Sequence, residues 1–163
     1  MPREHFGSDH SFLPRDELLS YEEITEVVRG MLPLGLQKLR LTGGEPLLRK
    51  NIASLISMLR NLSGTIDIAL TTNGALLRKH AQSLREAGLN RVTVSLDAID
   101  AELFQIMADS PKWTPDDVLG GILEARRVGL GVKINTVIKK GVNENQILPL
   151  FQRFYELKIP LRF

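Results

Sequence analysis

Arg40 and Lys133 are the side chains of this sequence best suited to hold phosphate, Arg40 as a planar fork and Lys133 as a point charge. Thr71 and Ser95 offer hydroxyls near the ends of short apolar stretches. Three positions after Arg40 begins Gly43-Gly44-Glu45-Pro46. Two residues without side chains let a ligand approach the backbone, and proline rigidifies the exit, although a Gly-Gly pair serves a tight turn as readily. None of these groups is an activated nucleophile, so the set reads as anion recognition and hydrogen bonding, with no catalytic residue assigned. Metal ligands are equally hard to find. The chain has no cysteine, which removes disulfides, thiol catalysis and cysteine-ligated clusters together. His5, His10 and His80 stand without a ligand spacing such as HExxH. Neither a Walker A run nor GxGxxG follows any strand pattern.

The elements that must carry these residues alternate between helical and strand periodicity from residue 20 onward, the pattern of βα units on a parallel sheet. Ser20 with Glu23 forms a capping box for a helix over 21–34, which places Ile24, Val27, Val28, Met31 and Leu32 on one side. Strands are expected at Lys38–Thr42, Ile66–Thr71, Arg91–Leu96, Val132–Ile138 and from Leu161. Between them, helices carry Ile52, Leu55, Ile56 and Leu59, then Leu77, Ala81 and Leu84, then a segment opened by Thr114, Pro115 and Asp117. Asn143 is expected to cap the last helix, with Ile147, Leu150, Phe151 and Phe154 buried. Residues 1–19 read as a loop leader and about 107–113 as non-periodic. The whole of 1–163 is taken as one domain. With no strand before the first helix and the last strand only three residues long, both edges look severed.

Three strands carry an unusual alternation. Lys38, Arg40 and Thr42 interleave with Leu39 and Leu41; Thr93, Ser95 and Asp97 with Val92, Val94 and Leu96; Lys133 and Asn135 with Val132 and Ile134. A parallel sheet covered on both faces would read as continuous apolar runs instead. For one strand, an ordinary solvated face would explain this. Recurrence over three, towards the carboxyl ends where α/β proteins place their sites, points to a cavity for a polar ligand. Periodicity alone leaves two architectures open, a doubly wound open sheet and an arc of a β/α barrel. Composition narrows the partners: 21 Lys and Arg against 19 Asp and Glu give +2, too small and dispersed to imply nucleic acid or membrane. No apolar run spans a bilayer and the first ten residues lack a signal-peptide core, so a cytoplasmic location is expected.

The run Lys38-Leu-Arg-Leu-Thr-Gly-Gly-Glu-Pro-Leu-Leu-Arg49 closely resembles the second strand and following loop of the GTP 3′,8-cyclases, the first enzymes of molybdenum-cofactor synthesis. GGEP alone would indicate only the radical S-adenosylmethionine (SAM) superfamily. Thr71-Thr-Asn-Gly74, Val94-Ser-Leu-Asp97, Val132-Lys-Ile-Asn-Thr-Val137, Asn143-Glu144 and Leu161-Arg-Phe163 narrow it, all in family order with a one-residue difference between Ser95 and Lys133. The resemblance implies a partial parallel β/α, TIM-like barrel of radical SAM type, truncated at both ends, whose wet face is the lumen. It implies that Gly43, Gly44 and Glu45, through their backbone, and Ser95 meet SAM, and that Arg40, Thr71 and Lys133 hold GTP. It further implies [4Fe-4S] clusters, a 5′-deoxyadenosyl radical that abstracts hydrogen from the GTP ribose, ring closure onto guanine C8, and a homodimer in the full-length family. The departure is the missing cysteine. In the family a Met-Pro or Leu-Pro pair commonly follows the last cysteine of CxxxCxxC, and this chain begins Met1-Pro2. It is therefore expected to be an internal piece, inactive alone; another radical SAM enzyme with the same core, or a shortened non-catalytic fragment, are the competing readings.

Overall fold

The computed structural model describes residues 17–108 and 112–163. Residues 1–16 of the expected leader, with His5 and His10, and 109–111 of the second non-periodic stretch lie outside the described residues. The elements run α1 (Tyr21–Met31), β1 (Lys38–Leu41), α2 (Ile52–Leu62), β2 (Asp67–Thr72), α3 (Leu77–Glu86), β3 (Arg91–Ser95), α4 (Ala101–Ala108), α5 (Pro115–Arg127), β4 (Gly131–Asn135), α6 (Ile147–Glu156) and β5 (Leu161–Arg162).

All five strands are parallel, and their order across the sheet is their order in the chain, β1-β2-β3-β4-β5. That order chooses between the two architectures. Crossovers between parallel strands are almost always right-handed. When the order never reverses, every such crossover falls on the same face. Accordingly α1 packs on α2, α2 on α3 and α3 on α5, forming one continuous layer. A doubly wound sheet would need a reversal, so this sheet is an arc of a β/α barrel.

The core lies between that layer and one face of the sheet. Ile68, Leu70, Val92, Val94 and Ile134 from the strands meet Ile56, Leu59, Leu77, Leu84, Ile122 and Phe154 from the helices, all fully buried. The helix starts follow the sequence: Ser20 and Glu23 exchange both bonds of the capping box, as do Thr114 and Asp117. α3 and α5 approach so closely that a Cβ on Gly121 would lie 3.0 Å from the Gly74 carbonyl oxygen and 3.0 Å from Leu77 Cβ.

Several expectations need correction. The first helix ends at Met31 and continues as a 3-10 turn, Leu32–Leu34; Val27 and Met31 are exposed, whereas Thr25 and Val28 face inward. β4 stops at Asn135 instead of Ile138 because the Val137 N–H is taken by the Asp97 carboxylate at 2.8 Å. Asn143 does not cap α6. A 3-10 turn, Glu144–Gln146, intervenes, and the buried Asn143 amide points back to the strand ends. On α6, Leu150 and Phe154 are buried, but Ile147 is exposed and Phe151 stacks outward on Tyr155 at 5.6 Å. α4 was not expected; Asp100 caps it by accepting the Leu103 N–H, and Phe104 anchors it.

Gly121→Ala forces a methyl group against backbone that cannot move aside, and overpacking of this kind costs about 1–3 kcal/mol. A correspondingly lower urea midpoint is expected, with the far-ultraviolet circular dichroism of the folded state unchanged. An unaltered midpoint would show that α3 and α5 are not in this contact.

Candidate functional site

The register converts the alternating polar residues into rows across the uncovered face. Lys38 lies opposite Asp67. Arg40, Ala69, Arg91 and Gly131 form the next row, Thr71, Thr93 and Lys133 the one above it. Ser95, Asn135 and Arg162 form a row at the carboxyl end. Successive rows share a face because side chains alternate with period two.

These rows bring together most of the residues expected to act. Arg40 Nη1 donates to Thr71 Oγ1 at 3.1 Å, and Ala69, the small residue opposite Arg40 on β2, leaves room for the guanidinium to reach it. Lys133 is exposed and shares the row of Thr71 through Thr93. Arg91 is neutralised by Asp67 at 2.6 Å near the amino end. Among the described residues, Arg40, Lys133 and Arg162 make no ion pair, so positive charge is left over on this face. Ser95 is exposed at the end of β3. Two residues on, burial pushes the Asp97 carboxyl above the usual range, an effect that the Val137 N–H partly offsets. Asn135 Oδ1, beside Ser95 in the register, is buried without a hydrogen-bond partner among the described residues. Such an atom is costly unless something else donates to it.

The Gly43-Gly44-Glu45 turn follows β1. Gly43 has φ of +144°, open to glycine and strained for other residues, and a Cβ there would meet nothing within 4 Å. The turn therefore presents bare backbone to open space. Glu45 is less available than its neighbours. Its carboxylate accepts from Leu47 N at 3.0 Å, Thr72 Oγ1 at 2.8 Å and Asn73 N at 2.7 Å. Those bonds tie the loop after β1 to the loop after β2. Thr72, in turn, accepts the Gly74 N–H, and Gly74, with φ of +82°, fits so tightly that a Cβ would strike Val94 and Val118 at 2.8 Å.

Sequence reasoning missed this second set of polar residues, Thr72, Thr136, Asn143 and Gln146, all buried at the carboxyl ends of the strands. Their partners lie on other loops, and only the coincidence of polar type with strand ends could have suggested them. Among the described residues no group of three His, Cys, Asp or Glu could hold a metal ion. No described helix is long and apolar enough to cross a membrane. A shallow concavity lined by Phe154, Tyr155, Lys158 and Pro160 lies before β5, away from the polar rows.

Comparison with known proteins agrees with this fold. Residues 4–154 match the radical SAM superfamily. The GTP 3′,8-cyclase of Staphylococcus carnosus (strain TM300) is 50% identical over 163 residues, all of this chain and 48% of that relative. That of Staphylococcus haemolyticus (strain JCSC1435) is 48% identical with the same coverage. The chain thus spans about half the length of the curated relatives it matches. A solved structure, native anSMEcpe with bound AdoMet, resembles 94% of this chain and 45% of its own with a TM-score of 0.70 at 19% identity, a likeness of fold.

The raised pKa of Asp97 has a definite sign. The folded state favours the protonated carboxyl, so the contribution of Asp97 to stability is fully present below its unfolded value of 3.8 and is lost as pH rises through the higher folded value. Asp97→Asn keeps an acceptor for Val137 N–H and removes the titration. The stability of the wild type relative to Asp97→Asn is expected to fall as pH rises from 3.8, measured by urea midpoints across the acid range. Parallel curves would mean that Asp97 is solvated like an ordinary carboxylate.

Proposed function

The chain belongs to the radical SAM superfamily, and from that membership we propose that it is the SAM- and GTP-holding part of a GTP 3′,8-cyclase, acting in molybdenum-cofactor biosynthesis. The full reaction would convert GTP to (8S)-3′,8-cyclo-7,8-dihydroguanosine 5′-triphosphate. The observation that carries this reading is the set of unneutralised cations on the uncovered face, Arg40 bonded to Thr71 and Lys133 in the row of Thr71.

In this reading Arg40, Thr71 and Lys133 hold the nucleotide. The guanidinium supplies charge-assisted bonds to phosphate, Lys133 adds a point charge, and the Arg40–Thr71 bond keeps the fork directed along the sheet. Residues Gly43, Gly44 and Glu45 offer backbone to SAM, and Ser95 a hydroxyl. The open space at Gly43 and the unpartnered Asn135 Oδ1 suit a ligand rich in amino and hydroxyl donors. When bound, SAM supplies the radical chemistry that gives the superfamily its name. The protein's part would be placement: the rows would hold the nucleotide and the turn and Ser95 would hold SAM, both at the same polar face.

An iron–sulfur cluster does not fit the residues present. The chain has no cysteine and hence no thiolate for iron, so its own role is binding. A cytoplasmic setting and a homodimer of the full-length protein belong to the same proposal and rest on the family resemblance.

Separate titrations with SAM and GTP test the assignment. Arg40→Ala and Lys133→Ala are each expected to weaken GTP about 10-fold or more, in line with about 1.5–3 kcal/mol for hydrogen bonds to charged groups. SAM affinity should stay near the wild type. Gly44→Val is expected to do the reverse, because a branched side chain blocks approach to the backbone. Normal GTP binding by both cation variants together with normal SAM binding by Gly44→Val would overturn the site. Anaerobic reconstitution with iron and sulfide is expected to leave the chain colourless; a stable, stoichiometric cluster would refute the binding-only role.

A further inference from the structure

We propose that Gln146 is a positioning residue, which holds the loop after β3, and through it Ser95, from the start of α6. Its effect on ligand rests on the functional reading above; its effect on Ser95 does not.

Gln146 is 6% exposed and sits at the junction between the 3-10 turn and α6. Its Oε1 accepts the backbone N–H of Ile99 and of Asp100, each at 3.1 Å, across 47 and 46 residues of chain. Both donors belong to the loop between Ser95 and α4, and the Asp100 side chain opens that helix. Three further bonds run between the same two loops. Asn143 Nδ2 donates to the Asp97 carbonyl at 2.8 Å; within its own loop the same amide also donates to the Val137 carbonyl at 2.9 Å and accepts from Lys139 N at 2.8 Å. Thr136 Oγ1 donates to the Leu96 carbonyl at 2.7 Å. Val137 N donates to Asp97 Oδ1. The sheet ladder contributes only Leu96 N to Asn135 O here, so side chains do most of the holding.

Gln146 differs from the rest of this lacing in where it acts. Asn143, Thr136 and Asp97 join residues adjacent to the ladder, which the strands already hold. Gln146 restrains Ile99 and Asp100, four and five positions beyond Ser95, where no strand pairs with the chain. A loop fixed at both ends cannot let the last strand residue fray. Ser95 is the last residue of β3, paired with Asn135 at the end of the ladder, whereas Arg40, Thr71 and Lys133 have strand residues on both sides to fix them. Glu45 performs the corresponding task between the loops after β1 and β2. Among the described residues no side chain bonds the loop after β2 to the loop after β3, so a disturbance at Gln146 has no direct route to the Gly43-Gly44 turn.

The chemistry of the contact defines the test. Both partners are donors, so only an acceptor at this position serves. Gln146→Met keeps the length and removes the acceptor; Gln146→Glu keeps it, because a carboxylate accepts the same two N–H groups. On the 163-residue chain, amide exchange at Ile99 and Asp100 and the amide shift of Ser95 are read without ligand, with Arg40 as the internal control. Gln146→Met is expected to speed exchange at both amides by about 10-fold or more, the loss of one net bond's protection per donor. It should move the Ser95 resonance while Arg40 stays in place, and weaken SAM about 10-fold with GTP changed less than about 3-fold. Gln146→Glu should restore all four readouts. Gly121→Ala, destabilised elsewhere, should leave Ser95 and SAM affinity as in the wild type, which separates positioning from general loss of stability.

A Gln146→Met chain with an unmoved Ser95 amide overturns the proposal, as does a Gln146→Glu chain that fails to restore it. If Gln146→Met does not fold, Gln146→Glu decides alone, by keeping or losing the wild-type exchange at Ile99 and Asp100. Should the wild type bind neither SAM nor GTP, the functional reading fails for this chain, and the role of Gln146 is judged on the Ser95 amide by itself.

Discussion

Everything in this molecule depends on the agreement between strand order and crossover hand. A parallel sheet whose strands follow one another without reversal places its helices on one side. The covered side can then be filled with Ile, Leu and Val, and the hydrophobic term is collected once, between a single helix layer and a single face. The other face has no helix to bury it. Apolar residues there would be exposed, and Lys38, Arg40, Thr71, Ser95 and Lys133 stand in their place. The polar face is thus a by-product of the winding rule, and its chemistry resides in which polar residues occupy it.

A face of this kind is useful only if its carboxyl edge holds its shape, because loops carry no regular backbone pairing of their own. Here polar side chains take over that task. Glu45 gathers three donors from two loops, and Asn143 and Gln146 gather or supply partners across the next pair. Most of their partners are backbone groups, so the same bonds satisfy the side chains and the loop backbone at once. Gly74 and Gly121 contribute from beneath. Without side chains they let α3 and α5 close on each other under the β2 loop, and that contact fixes the floor on which the loop rests.

Much of this was legible before any coordinates. The helix starts at Ser20 and Thr114 follow from local rules and were found where expected, since capping involves residues three apart. The polar alternation of Lys38 and Arg40, and of Lys133 and Asn135, is a property of single strands and was equally readable. What resisted were effects of distance. Asn143 looks like a helix cap because polar residues before helices usually are, yet its partners Asp97 and Val137 are reached through the fold. β4 reads as continuing to Ile138, and an aspartate 40 residues earlier ends it. Glu45 was linked to ligand through its backbone, and nothing nearby in sequence announces that Thr72 and Asn73 occupy its carboxylate. The choice of barrel over doubly wound sheet had the same character, since strand order is a relation among all the strands.

The row arrangement also governs which changes of chain length the protein can absorb. Every lumen residue is two positions from the next along its strand, so adding or deleting one residue inside β4 would turn Val132 and Ile134 towards the polar face and Lys133 into the core. Between strands there is no such parity. The two helices and the loops from Leu96 to Leu130 can gain or lose a residue by shifting a turn and leave the odd–even identity of β4 untouched. Evolution is therefore free to edit the outer connections by single residues, whereas inside a strand it must move in steps of two.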